Sequence, residues 1–190
     1  MTIGVGVEGP SDRAFWDKLL HKNFPKLRFD IRSMNNREKL IRAAPSLLET
    51  FRDLHYRAGF IILDRDQSPC IASIMQEFDP QIQQEVRKPP AERYLFVCVA
   101  IRELEAWFLA DDAAILAVLP RAKYRAPSET GQLNAQKILT ECWLQQFPHT
   151  AFNKLDFAKR IAPKFKPDIA ARHSASFKYF WERMKKRRRA

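Results

Sequence analysis

The segment Gly59-Phe60-Ile61-Ile62-Leu63-Asp64-Arg65-Asp66 runs from a short apolar stretch straight into a pair of carboxylates. Gly59–Leu63 reads as a β-strand ending at Asp64. Three further segments share its character. Thr2–Val7 is a β-type run that meets Glu8 and is then broken by Gly9-Pro10-Ser11. Leu27, Phe29 and Ile31 alternate with polar residues, as in a half-buried strand. Tyr94–Ile101 is the most apolar segment and reads as a central strand buried on both faces.

Helical patterns separate these strands. Within Asp12–Lys22, residues Phe15, Trp16, Leu19 and Leu20 fall on one face, with Ser11 as the expected N-cap and Asp12 suited to the positive first turn. Leu40, Ala44, Leu47, Leu48, Phe51 and Leu54 form a second stripe, which Pro45 is expected to kink or split. Ile71, Ile74, Met75, Phe78 and Ile82 mark a third helix, and Glu103–Leu119 a fourth that ends at Pro120. The resulting βαβαβαβα order predicts an α/β fold with a parallel sheet and right-handed crossovers. Ligands of such sheets bind beyond the carboxyl ends of the strands.

Charge divides the chain in two. Residues 1–118 carry 16 Lys and Arg against 17 Asp and Glu, whereas residues 119–190 carry 17 against 5. The expected organisation is an α/β domain over 1–118, followed by a basic, mainly helical extension over 119–190 packed on it. Helices are expected at Ala135–Phe147, Asp156–Phe165 and Ser174–Lys186, after a loop from Arg121 to Asn134 that contains Pro127 and Gly131. The tail Lys185-Lys186-Arg187-Arg188-Arg189 is expected to be mobile. A basic region of this kind suits nucleic acid, and equally a solvated face. Lys178 and Arg183, interleaved with Phe177, Tyr179, Phe180 and Trp181, extend the candidate nucleic-acid surface; core packing is the competing role for the aromatics.

Acidic residues gather at three expected strand ends. Glu8 follows the first strand, with Asp12 four residues later. Asp64 and Asp66 follow the third. Glu103 and Glu105 follow the fourth, and Asp111 and Asp112 lie further on. Each group alone reads equally as a turn or a helix-start charge. Together they would converge on one edge of a parallel sheet, where crowded carboxylates repel unless a cation neutralises them. Hard oxygen donors of this sort suit Mg²⁺ or Mn²⁺. Two such ions about 4 Å apart stabilise the attacking and leaving oxygens of a phosphodiester.

Val7-Glu8-Gly9-Pro10-Ser11-Asp12 with Ile62-Leu63-Asp64-Arg65-Asp66 resembles the TOPRIM signature, and the added Asp12 is similar to the branch found in OLD-type nucleases. The segment Ala100-Ile101-Arg102-Glu103-Leu104-Glu105-Ala106-Trp107-Phe108-Leu109-Ala110-Asp111, with Ser174-Ala175-Ser176-Phe177, resembles small stand-alone bacterial TOPRIM-like proteins, some encoded beside ATPases in phage-defence settings. The resemblance implies a TOPRIM-like fold and a Mg²⁺- or Mn²⁺-dependent nuclease acting on DNA or RNA. In that reading Glu8, Asp64 and Asp66 are catalytic, and Glu8, Asp12, Asp64, Asp66 and either Glu103 or Glu105 hold metal. It also implies an ATPase partner and a defence role. A non-cleaving module that binds nucleic acid or an ATPase is the alternative. OLD-type nucleases use a late lysine, which no motif in this sequence marks.

Other chemistries find no support. There is no G-x-S-x-G elbow, Walker loop or G-x-G-x-x-G, and Gly4, Gly6 and Gly9 are spaced differently. An Asp-x-Asp after the first strand would suit a haloacid-dehalogenase-type phosphatase, but here the pair follows the third. His21, His55, His149 and His173 have no ligand spacing, although His173 lies in the family-like segment. Cys70, Cys98 and Cys142 form no CxxC pair and are expected to be buried free thiols of a reducing cytoplasm. The longest apolar run is far below the roughly 20 residues of a membrane span, and no signal peptide is recognisable.

Overall fold

The computed structural model describes residues 1–130 and 134–189, with side chains through Arg187. Strands β1 (Thr2–Val7), β2 (Arg28–Ser33), β3 (Ala58–Asp64) and β4 (Leu95–Ala100) form one parallel sheet in the order β2-β1-β3-β4. The chain moves one way from β1 to β2 and the other way to reach β3. With right-handed crossovers, the connecting helices α1 (Pro10–Asn23) and α2 (Arg37–Asp53) must lie on opposite faces. Two cores follow. Phe15, Trp16, Leu19 and Leu20 of α1 pack on one face; Leu40, Leu47, Leu48 and Phe51 of α2 pack on the other.

The basic segment after residue 118 is no appendage in packing terms. Helices α7 (Ala135–Gln146), α8 (Lys154–Ile161), α9 (Pro167–His173) and α10 (Ala175–Arg189) complete the α1 side of the sheet. Phe165 meets Phe15 at 5.3 Å between ring centroids, and Phe180 meets Trp16 at 4.7 Å and Phe60 at 5.8 Å. Phe177, Phe180 and Trp181 are core residues, and of this group only Tyr179 reaches the surface. The Trp107 indole N–H donates to Ser176 Oγ at 2.7 Å, so the two family-like segments are joined by one hydrogen bond.

Several elements differ from expectation for local reasons. Most of the Tyr94–Ile101 segment is buried, with Tyr94, Val97 and Ile101 half-buried, but β4 lies at the sheet's edge, not its centre. Helix α2 runs unbroken through Pro45. Ile71–Ile82 divides into α3 (Ile71–Gln76) and α4 (Pro80–Arg87), because Asp79 caps a new helix that opens on Pro80. Glu103–Leu119 divides likewise into α5 (Glu105–Leu109) and α6 (Asp112–Val118), where Asp111 caps α6 by accepting from Ala114 N at 3.0 Å. Helix α1 is capped at Gly9 rather than Ser11; Asp12 Oδ2 accepts the Gly9 N–H at 2.9 Å. Helix α9 is additional to the three helices expected after residue 134. Cys70 is exposed, and only Cys98 and Cys142 are buried. The basic tail continues α10, with Lys185 paired to Asp168 at 2.8 Å and Arg187 donating to the Pro90 and Arg93 carbonyls at 2.7 and 2.9 Å. Gly131 and the side chains of Arg188 and Arg189 lie outside the described residues. Among the described residues no helix is long and apolar enough to cross a membrane.

Gly4 and Gly59 face each other across β1 and β3, and the Phe51 ring of α2 seats against both. A Cβ on Gly4 would lie 2.5 Å from that ring. Gly4→Ala should therefore destabilise the protein by about 1–3 kcal/mol. Phe51→Leu in the same chain should recover part of the loss, since the two positions touch. Urea midpoints of the two single variants and the double variant measure both effects.

Candidate functional site

The strand order reverses between β1 and β3, so helices diverge to opposite faces there and leave a crevice at the carboxyl edge. Glu8, the residue after β1, turns into that crevice, and its Oε1 accepts the backbone N–H of Asp64 at 2.6 Å. Asp64 ends β3. One hydrogen bond thus ties the two strand ends together.

Around this pair the charges are dense. Burial raises the Glu8 carboxyl to a pKa of about 7; the Asp64 amide opposes the rise, while Asp66 and Asp12 add to it. Asp64 is pushed well above its ordinary value, first by burial and then by Glu8, with Glu105 and Asp12 contributing and Lys154 opposing. Asp12 caps α1 and faces the same crevice, so its capping role and its place in the cluster coexist. Asp66 is the outermost member: its side chain is 53% exposed, and Arg37 Nη1 lies 3.9 Å away.

The structure distinguishes Glu105 from Glu103. Glu105 is 1% exposed and forms an ion pair with Lys154 at 2.7 Å; its second oxygen is buried without a hydrogen-bond partner. Glu103 turns away and accepts the Gln136 N–H at the start of α7, at 2.9 Å. Lys154 was not legible in the sequence. It is the first residue of α8, where the helix dipole disfavours a cation. Its position is explained by what it faces. Burial opposes its charge, but Glu105, Asp64 and Asp12 outweigh that and hold the ammonium charged beyond its ordinary range.

Backbone geometry marks the same edge. Asn35, Asp66 and Arg102 adopt positive φ angles of 72°, 50° and 67° and follow β2, β3 and β4 respectively. Left-handed backbone costs energy in residues other than glycine, most evidently at Arg102, and such positions gather at functional sites. Asp66 N donates to the Arg102 carbonyl at 2.7 Å, locking two of these loops together. A cleft of about 480 Å³ opens beside the crevice, lined by Arg13 and Asp17 of α1, Ser33 and Asn35 after β2, and Lys159 of α8.

The basic residues of α10 lie elsewhere. Helix α10 runs against β4, so Ser176 sits near the carboxyl edge and Arg187 at the amino edge, beside Pro90 and Arg93. A strand of this length spans about 20 Å. Arg183 stacks over Tyr179 at 4.8 Å, and Lys178 and Lys186 are exposed. Lys185 and Arg187, held by Asp168 and by backbone carbonyls, are tethered. His173 Nδ1 pairs with the Pro127 carbonyl at 2.5 Å, a structural role.

Among the described residues, no three His, Cys, Asp or Glu already converge tightly enough to enclose a metal ion. The donor set nevertheless fits a hard divalent cation held openly. Mg²⁺ commonly takes one or two carboxylates and keeps water and substrate oxygens for the rest. Glu8 and Asp64 are both carboxylates disfavoured as anions by burial and by neighbouring carboxylates, which is the condition a cation relieves.

The fold and site define a parallel α/β protein with a carboxylate–lysine cluster at its strand switch point. The chain belongs to the family described as domain of unknown function DUF4276, whose model matches residues 7–185. No curated protein and no solved structure matches it.

A pH dependence follows from Glu8. Its folded pKa of about 7 exceeds the ordinary 4.5, so between these values the folded state binds more protons than the unfolded chain. Stability from this group is full below pH 4.5 and is lost as pH rises through 7. Glu8→Gln, which keeps an acceptor for the Asp64 amide, should raise the metal-free melting temperature at pH 8 and leave it nearly unchanged at pH 4.5. Thermal unfolding at both values reads the difference.

Proposed function

We propose that this chain is a TOPRIM-type, Mg²⁺- or Mn²⁺-dependent nuclease that hydrolyses phosphodiester bonds of DNA or RNA. The observation that carries the reading is the meeting of Glu8, Asp64 and Lys154 at the switch-point crevice, with Asp12, Asp66 and Glu105 around them. Asp64 and Glu8 would hold the metal, with Asp66 and Asp12 at its margins. The bound ion would supply charge neutralisation and an activated water.

The chain's own groups supply the rest. Where Glu8 is not itself bound to the ion, its carboxylate would be placed to take or return a proton. Lys154 presents a permanent positive charge from within a low-dielectric wall, where it stabilises charge developing on a phosphoryl oxygen. Glu105 positions Lys154 and does not itself need to touch substrate. Arg13 and Lys159 line the adjacent cleft and suit the phosphates of a nucleic-acid strand. Arg183, Lys186 and Arg187 belong to a second basic surface toward the opposite edge, whereas Lys178 lies nearer the carboxyl edge, two residues beyond Ser176. A duplex or folded RNA would have to bridge about 20 Å of sheet to engage both. An ATPase partner and a role in phage defence accord with the family-like segments and belong to the same proposal.

Incubation with plasmid DNA and bulk tRNA, with Mg²⁺, Mn²⁺ or a chelator, tests the reading. Cleavage should require metal and should be abolished in Asp64→Asn. Lys154→Met should also lose activity, but it leaves Glu105 buried without a partner and should cost about 3–5 kcal/mol of stability. The double variant Lys154→Met/Glu105→Gln should regain most of that stability without regaining cleavage. Metal-independent cleavage, or cleavage unaffected by Asp64→Asn, would refute the site. Binding of nucleic acid without cleavage under any metal would favour the non-catalytic module.

A further inference from the structure

Strand β4 has the composition of a central strand and the position of an edge strand. Leu95-Phe96-Val97-Cys98-Val99-Ala100 contains no charge, proline or glycine, yet among the described residues no strand pairs with its outer side. The other edge is built differently: β2 reads Arg28-Phe29-Asp30-Ile31-Arg32-Ser33, with charged residues at every second position. Charged side chains are how proteins protect exposed sheet edges from pairing. One edge of this sheet is guarded and the other is not.

The register shows which groups have no strand partner. The Tyr94 carbonyl accepts from Gly59 N at 2.9 Å, and the Ala100 carbonyl accepts from Arg65 N at 2.9 Å. Even-numbered residues of β4 therefore face β3, and the N–H and C=O groups of Val97 and Val99 point away from the sheet. At Leu95 the side chain of Glu85 reaches the N–H, at 3.4 Å.

An apolar groove of about 440 Å³ lies along this edge. Val97, Val99 and Ile101 form its floor, Ile71 and Met75 of α3 one wall, and Tyr179 of α10 the other. Ile71 is 48% and Tyr179 37% exposed, both large apolar side chains at the surface. Among the described residues lining it, Arg93 is the single charged one. Beyond Arg93 the amino end of the edge opens on Arg183, Lys186 and Arg187; the one carboxylate that reaches Leu95, Glu85, is buried and already paired with Arg52 and Lys88.

We infer that the β4 edge is a docking site for an extended segment of another protein, which adds as a fifth strand with alternate apolar side chains in the groove and acidic residues at the Arg93 end. Backbone pairing would supply affinity, and the groove and cations would supply specificity. A second copy of this chain is the poorer occupant. A second copy carries the same cations and no new acidic segment, and the whole chain has a net charge of +11. The occupant's chemistry is thus apolar and acidic, complementary to the edge.

The test uses the full chain and a synthetic peptide, acetyl-Asp-Glu-Val-Thr-Val-Thr-Val-Thr-amide, beside a version with Lys-Lys in place of Asp-Glu. Fluorescence anisotropy should show binding of the acidic peptide and at least about tenfold weaker binding of the lysine version, a difference of 1.4 kcal/mol or more. Arg93→Glu should reverse that preference, and Ile71→Glu, a substitution at an exposed position, should weaken binding of either peptide. Amide exchange by NMR should show Val97 and Val99 exchanging fast in the free protein and slowing on peptide addition, with Phe96 and Cys98 protected throughout. The inference is overturned if the acidic peptide does not bind, or if it binds without slowing Val97 and Val99. Equal binding of the lysine version would overturn the assignment of an acidic partner. Protection of Val97 and Val99 that grows with protein concentration alone would identify a second copy as the occupant and also overturn it.

Discussion

Strand order imposes the constraint on which the rest of this molecule depends. The chain leaves β1 toward β2 and later lays β3 on the opposite side of β1, so α1 and α2 cannot share a face. Between their starting points the carboxyl edge is left open. The Glu8 carboxylate fills that opening by accepting the Asp64 N–H, a bond that joins two strand ends fifty-six residues apart. Everything assigned to the site is arranged about this bond: Asp12 on the helix leaving β1, Asp66 on the loop leaving β3, and Glu105 after β4. The late helix α8 then delivers Lys154 into their midst.

The electrostatics explain why the late helices are part of the same body. A crevice of buried carboxylates is unfavourable unless positive charge answers it. Lys154 answers part of it from within the fold, by pairing with Glu105 and facing Asp64 and Asp12. The aromatic layer of Phe165, Phe177 and Phe180 holds the C-terminal helices against α1 and the sheet, so the lysine is placed by packing far from its own position in sequence. Burial first, and then the neighbouring carboxylates that Lys154 does not offset, keep the Glu8 and Asp64 carboxyls above their ordinary range. That residual imbalance is the property a divalent cation would relieve.

The parallel α/β architecture was legible because strand signals in this chain are short, apolar and separated by helical stripes. Glu8, Asp12, Asp64 and Asp66 were legible because each follows a strand, and parallel strands bring their ends to one edge. The choice between Glu103 and Glu105 was not. Two residues so close in sequence differ here only in which way the start of α5 turns, and that depends on Lys154 and on the Gln136 N–H. Lys154 itself was hidden because its role comes from long-range packing, and no local pattern separates it from the other lysines. The edge position of β4 does not show in its sequence: its apolar composition reflects packing against helices, and composition does not report whether a neighbouring strand is present. The basic tail was legible as charge, but its location at the amino edge followed only from α10 running against β4.

Proton release on cation binding tests the proposed divalent-cation site at the switch-point carboxylates most directly. Titration calorimetry with Mn²⁺ at pH 6.5, repeated in buffers of different ionisation enthalpy, counts the protons expelled. At that pH Glu8, with its pKa near 7, is largely protonated, and a cation entering the cluster must displace that proton. The account predicts saturable binding with a proton released, and loss of both in Asp64→Asn. Absence of saturable binding, or binding with no proton release and no dependence on Asp64, would contradict it.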